Sequence, residues 1–137
     1  MPAPNPSRLQ FCTDHLGVCE TSSAAYSTVI DATGNLNAIE SGFAKIAHGG
    51  KYVLIGLQKQ PISFSHPEFH KREATLMSSR NANREDFDYV MNLFCSGKIQ
   101  AGMFISHRFG QNQLLDIFTK INAPGTEVIK AMITLAE

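Results

Sequence analysis

No tryptophan occurs among the 137 residues, and only three cysteines do, Cys12, Cys19 and Cys95. Three is an odd number, and none of them forms a CxxC pair. That excludes a disulfide framework and a cysteine-based zinc knuckle, and leaves free thiols in a cytoplasmic protein as the reading. Excess charge is missing too: 12 Lys and Arg balance 12 Asp and Glu. A surface that holds nucleic acid or an anionic membrane through bulk charge is therefore not expected. No apolar run approaches the roughly 20 residues of a membrane span. The opening MPAPNPSRLQ has no apolar centre and does not read as a secretory signal. Also absent are the GxGxxG turn that cradles a dinucleotide and any nucleophile–base set at a meaningful spacing. No residue is assigned as catalytic.

What is present is a chain 43% hydrophobic and 18% charged, enough for a packed core. NPSRLQFCTDHLG predicts a short helix, with Asn5 as its cap, Pro6 in the first position and Gly17 as its end. VCET predicts a short strand and SSAAYS a loop. TVIDATG then reads as a buried strand running into a tight turn. Leu36, Ile39, Phe43 and Ile46 recur at helical spacing, so a helix is expected to run on until Gly49–Gly50 close it. KYVLIGL is a second unbroken apolar strand, of the kind covered on both faces in a parallel sheet. Strand, helix and strand make a βαβ unit. QKQPISFSHPEFHKRE predicts a polar connection and ATLMSS a third strand. NREDFDYVMNLFCSGKI predicts a helix capped by Asn83, with Glu85 and Asp86 in its first turn. MFISHRF is expected as a strand, NQLLDIFTKINA as a helix with Leu114, Ile117, Phe118 and Ile121 inward, and EVIKAMITL as a final strand.

The order VIDATGN, GGKYVLIGL, SSRNA, ISHRF, VIKAMITL resembles the C-terminal half of the zinc-type alcohol dehydrogenases, the medium-chain dehydrogenases/reductases. SSRNANREDF and ISHRF are most similar to the branch of sorbitol, idonate and galactonate dehydrogenases. The likeness runs from about Asn5 to Leu135. It implies an α/β fold: a partial Rossmann-like doubly wound parallel sheet lacking its first two strands, with the glycine-rich turn and the zinc-ligand domain upstream. Residues 1–110 would be the incomplete nucleotide-binding domain, and 111–137 a tail returning to the catalytic domain. The parent enzyme would transfer hydride between NAD or NADP and a secondary alcohol, with zinc polarising the oxygen. This chain alone, without zinc ligands or the phosphate-cradling turn, is expected to be inactive. The reading from a different class is a non-catalytic, dimerising interaction protein that retains the Rossmann half.

The resemblance assigns cofactor contacts at three strand ends, where ligands sit in open α/β sheets. Ala32, Thr33 and Gly34 would lie beside the ribose and adenine side, since small residues permit close backbone approach. Main-chain groups of Ile55, Gly56 and Leu57 would meet the nicotinamide carboxamide. Ser79, Arg80 and Asn81 would lie near the nicotinamide end, where Arg80 and Asn81 can donate to phosphate or ribose. The structural alternative for each is a plain strand-to-helix turn. Lys130 matches the basic residue that reaches the pyrophosphate; an edge-strand lysine that discourages aggregation reads as well from sequence. Arg8 matches a basic residue near the adenosine ribose, against a solvated helix residue. The acidic ribose contact would fall near Ala3, which cannot serve, so NAD and NADP stay equal. His66, Glu68 and His70 in HPEFH have the wrong order for a zincin HExxH, and Pro67 disfavours a helix through them, so no metal ligand is assigned. The family's twofold-pairing strand matches ATLMSS, which implies a homodimer through residues 74–79.

Overall fold

The computed structural model describes residues 5–18, 24–123 and 125–135. They form two compact units, residues 24–81 and residues 5–18 with 82–135.

The first unit holds β1 (Tyr26–Asp31), α2 (Leu36–Gly42) with a 3₁₀ turn at Phe43–Lys45, β2 (Ile46–Leu54), α3 (His66–Lys71) and β3 (Thr75–Ser78). The three strands are parallel, in the order β1-β2-β3, with Asp31 opposite Leu54 and Leu54 opposite Ser78. All three therefore end at one level. The core lies where α2 covers the sheet: Ile39, Phe43, Ile46 and Tyr52 are buried, and Val29, Leu54, Ile62, Phe69 and Ala74 pack around them. Phe43 meets Tyr52 edge-on at 4.9 Å and stacks on Phe64 at 4.5 Å. The Tyr52 hydroxyl donates to the Ile39 carbonyl at 2.9 Å, so the one polar atom of this aromatic is satisfied.

Several expectations need correction here. The helix predicted up to Gly49–Gly50 stops at Gly42, and Ile46 begins β2. The glycines make a bulge instead. The register steps from Tyr26 opposite Ile46 to Thr28 opposite Lys51. Gly49 sits at φ +68° and donates to the Arg72 carbonyl at 2.7 Å, a conformation that side-chain-bearing residues disfavour. β1 is not buried on both faces: strand alternation turns Val29 and Asp31 inward and leaves Ile30 59% exposed. Tyr26 and Ser27, expected in a loop, belong to β1. The polar connection contains α3, because Pro67 stands at the start of a helix, where its missing N–H costs nothing.

The second unit holds α1 (Pro6–Leu16), α4 (Arg84–Cys95), a short α5 (Ala101–Phe104), β4 (His107–Gly110), α6 (Leu114–Ile121) and β5 (Ala131–Thr134). β4 and β5 are parallel and form a sheet of their own. α1 starts on Asn5, whose side chain accepts from Ser7 and Arg8. α4 has the predicted start, and it is a full capping box: Asn83 accepts from the Asp86 N–H and Asp86 accepts from the Asn83 N–H. The predicted strand MFISHRF splits into α5 and β4, and only Ala131–Thr134 of EVIKAMITL is strand. Phe118, expected inward on α6, is 60% exposed. The predicted strand at VCET lies, but for Val18, outside the described residues.

Candidate functional site at the strand ends

The C-terminal ends of β1, β2 and β3 bring three of the predicted clusters together. Asp31 closes β1 and is 5% exposed, the one buried charged residue among those described. Its carboxylate accepts from the Thr33 hydroxyl at 2.6 Å and from the Gly34 N–H at 3.2 Å. Its main-chain carbonyl accepts from Ile55 N–H at 2.8 Å and Gly56 N–H at 3.0 Å. One residue thus ties the turn after β1 to the turn after β2. The Thr33 hydroxyl accepts in turn from Asn35 N–H at 3.1 Å, and Asn35 caps α2 by accepting from Ala38 N–H at 3.1 Å.

The two turns touch through their glycines. Gly34 is at φ +61°, and a Cβ there would stand 2.7 Å from the Leu57 carbonyl oxygen. A Cβ on Gly56 would fall inside contact distance of the Gly34 nitrogen and 2.8 Å from the Asp31 carboxylate. No other residue allows this approach without moving backbone. The third turn is joined to the second by Ser79 N–H donating to the Leu54 carbonyl at 3.0 Å, and Asn81 takes φ +62°.

Beside these turns opens a cleft of about 640 Å³. Leu54, Ile55, Leu57 and Ile62 supply apolar wall, and Ser79, Gln58 and Gln60 supply neutral polar groups. Arg80 is the single charged residue in the lining. Ile55, Gly56, Leu57, Ser79 and Arg80 therefore line one cleft, while Ala32, Thr33, Gly34 and Asn81 sit at the same strand ends outside its lining. Below the cleft, burial raises the Tyr52 phenol above its ordinary 10.0, and the Asp31 charge adds to the effect.

Lys130 and Arg8 belong to the second unit. Lys130 is exposed and precedes β5 rather than lying within it, so it is neither a buried cation nor a strand residue. Its main chain is fastened to Ser106, whose N–H donates to the Lys130 carbonyl at 3.0 Å and whose hydroxyl accepts from Ile129 N–H at 2.9 Å. The Arg8 guanidinium donates to the Val128 carbonyl at 3.2 Å, which is more than a solvated side chain does. Sequence reasoning missed Asp31 and Ser106 as organisers. Only for Asp31 was there a signal, a lone carboxylate ending an apolar strand before Thr-Gly.

Among the described residues, no three His, Cys, Asp or Glu side chains group to hold a metal ion. His66 and His70 face each other on α3 with ring centroids 5.9 Å apart, and have no third partner of that kind. No ligand set among the described residues fits a zinc ion. No helix among the described residues is long and apolar enough to cross a membrane.

A family model described as zinc-binding dehydrogenase matches residues 7–96. The chain belongs to the zinc-binding dehydrogenases. It is 45% identical over 106 residues to L-galactonate-5-dehydrogenase of Escherichia coli strain K12, a match covering 77% of this chain and 31% of that protein. The chain spans about a third of the length of the curated relatives it matches. Those relatives are named as dehydrogenases, which favours that reading over a non-catalytic interaction module. Among solved structures, the fold is similar to 2R,3R-butanediol dehydrogenase from Bacillus subtilis, with TM-score 0.77 and 12% identity over 93% of this chain and 41% of that one. It is also similar to a short chain alcohol dehydrogenase from Escherichia coli CFT073 complexed with NADH, with TM-score 0.71 and 20% identity over 92% of this chain and 35% of that one. These likenesses establish an α/β fold with Rossmann-like parallel strands.

Proposed function

We propose that this chain is the part of a sugar-acid dehydrogenase that holds the nicotinamide end of NAD or NADP against a secondary alcohol. The observation that carries it is the meeting of the Gly34 and Gly56 turns at the ends of parallel strands, beside an apolar cleft. That arrangement fits a flat ring lying on main chain, and it is where open α/β sheets take ligands. The 45% identity to a galactonate dehydrogenase supports the sugar-acid class. The bound cofactor would supply the hydride acceptor. The chain's own part is to position it: Ala32, Thr33 and Gly34 toward the ribose side, Ile55, Gly56 and Leu57 toward the carboxamide, and Ser79, Arg80 and Asn81 at the nicotinamide end. Lys130 and Arg8 would reach the phosphate and ribose. Residues 1–110 would serve as nucleotide-binding domain and 111–137 as the tail.

Zinc would be held by residues of the wider protein, and by itself this chain is expected to turn over no substrate. The exposed β3 edge, with Leu76 and Met77 open to solvent, would pair with a second copy. Light scattering should then give a dimer that Met77→Pro weakens.

The test is a chimera in which this chain replaces the matched segment of the Escherichia coli enzyme. NAD(P)-dependent oxidation of galactonate by the chimera is expected. A folded, zinc-loaded chimera with no turnover would overturn the proposal.

A further inference from the structure

We infer that Arg80 recognises the carboxylate of the substrate, and so selects sugar acids over neutral polyols. The inference rests on the dehydrogenase reading above. Arg80 is the one charge in the lining of the strand-end cleft. Among the described residues its guanidinium has no hydrogen-bond or ion-pair partner. The backbone around it is held: Ser79 is bonded to Leu54, and Asn81 turns the chain at φ +62° directly afterwards. An unpaired arginine on a turn at the cleft lined by Leu54, Ile55 and Leu57 presents a planar fork among apolar neighbours.

An anion with one charge and two coplanar oxygens suits a single such fork. An aldonate carboxylate is ionised at neutral pH and accepts two parallel N–H bonds. A phosphate or pyrophosphate is served by several donors or by the open start of a helix. The helix that follows begins at Arg84, and its first turn is already closed by the Asn83–Asp86 capping box. One cation with neutral Ser79, Gln58 and Gln60 about it matches a hydroxy acid: the carboxylate on Arg80 and hydroxyls on the neutral groups.

The experiment titrates the full chain with galactonate, with galactitol and with inorganic pyrophosphate, reading the backbone amides of Ile55, Gly56 and Ser79 by NMR. Galactonate is expected to shift these amides at concentrations about tenfold lower than galactitol, a preference of the size that a hydrogen-bonded charge supplies. Arg80→Ala should erase that preference, Arg80→Lys keep part of it, and Arg84→Ala leave it intact. Arg80 makes no bond within the described chain, so its removal leaves the fold in place. Equal response to galactonate and galactitol, no response to either, or an unchanged preference in Arg80→Ala each overturns the inference. So does an Arg80-dependent response to pyrophosphate that exceeds that to galactonate. An active chimera whose galactonate preference ignores Arg80→Ala would sink this inference and leave the dehydrogenase reading standing. An inactive chimera beside an Arg80-dependent galactonate response would do the reverse.

Discussion

Asp31, Ile39, Phe43, Ile46 and Tyr52 are buried, and all five lie in the unit of residues 24–81. No described residue of the other unit reaches that state. Yet the second unit has the better-written helices. α4 carries a reciprocal capping box and a stripe of Phe87, Val90, Met91 and Phe94; α6 carries Leu114, Ile117 and Ile121 at helical spacing. Their apolar side chains remain half-buried or open to solvent, and Leu115 is 91% exposed. The difference separates two sources of order. Caps and periodicity specify a helix through contacts within a few residues. A core needs an opposing layer, and α2 on β1 and β2 provides one. The first unit has a buried core; the second joins its capped helices through the β4–β5 ladder and long-range bonds such as Arg8 to the Val128 carbonyl, without a residue as buried as those of the first.

The sharpest way to break this contrast is to empty the core. Tyr52→Ala should cost about 3–5 kcal/mol, since it removes a buried aromatic and leaves the Ile39 carbonyl without its donor. Chemical denaturation read in the far ultraviolet is the measurement. A loss under about 1 kcal/mol would mean that the first unit is no better packed than the second.

Gly56→Ala comes next. The added methyl group must push the Gly34 turn away from the Asp31 carboxylate, an overpacking cost of about 1–3 kcal/mol. The same variant in the chimera should weaken NADH binding, which equilibrium fluorescence would detect.

In the second unit the corresponding lever is a cap. Asn83→Ala should remove about 1 kcal/mol of helix stability. The loss should appear as faster amide exchange at Asp86 and Phe87 while the β1–β2 amides keep their protection. Equal loosening of both units would contradict the separation.

The pH dependence of the first unit follows from Tyr52. The fold holds its phenol above 10.0, so the folded chain keeps the proton at pH values where the unfolded chain gives it up. Its stabilisation is complete below pH 10 and is lost as pH rises through the folded value. Tyr52→Phe should be less stable by about 1 kcal/mol at neutral pH, through the lost bond to Ile39, and should lack this alkaline limb. Thermal melts across the alkaline range give both numbers. The smallest effect belongs to Leu115→Ala, within about 0.5 kcal/mol, because nearly all of that side chain already faces water.

The places where sequence reasoning failed have a common cause. Leu36, Ile39, Phe43 and Ile46 fit a helical period, but the stretch changes from helix through a 3₁₀ turn to strand without breaking the apolar spacing. A periodicity cannot mark that change, whereas the β2 ladder can. Gly49–Gly50 read as a helix stop because glycine serves helix ends and bulges equally, and only the Arg72 carbonyl, 23 positions along, selects the bulge. Lys130 read as a strand cation because β5 is shorter than its apolar run.

By itself the sequence determined where α1 and α4 begin, through Asn5 and Asn83, which strands are apolar enough to lie parallel, and which small residues end them. These are short-range properties, written in side chains that act on their own backbone. The tertiary structure decided that three strand ends stand level, that the Gly34 and Gly56 turns touch, that Asp31 is buried between them, and that Arg80 is the lone charge in the cleft. Each of those depends on residues 20 to 50 positions apart being brought together, and the force that brings them is burial of Ile39, Phe43, Ile46 and Tyr52 against Val29, Ile62, Phe69 and Ala74, which lie in separate stretches of the sequence.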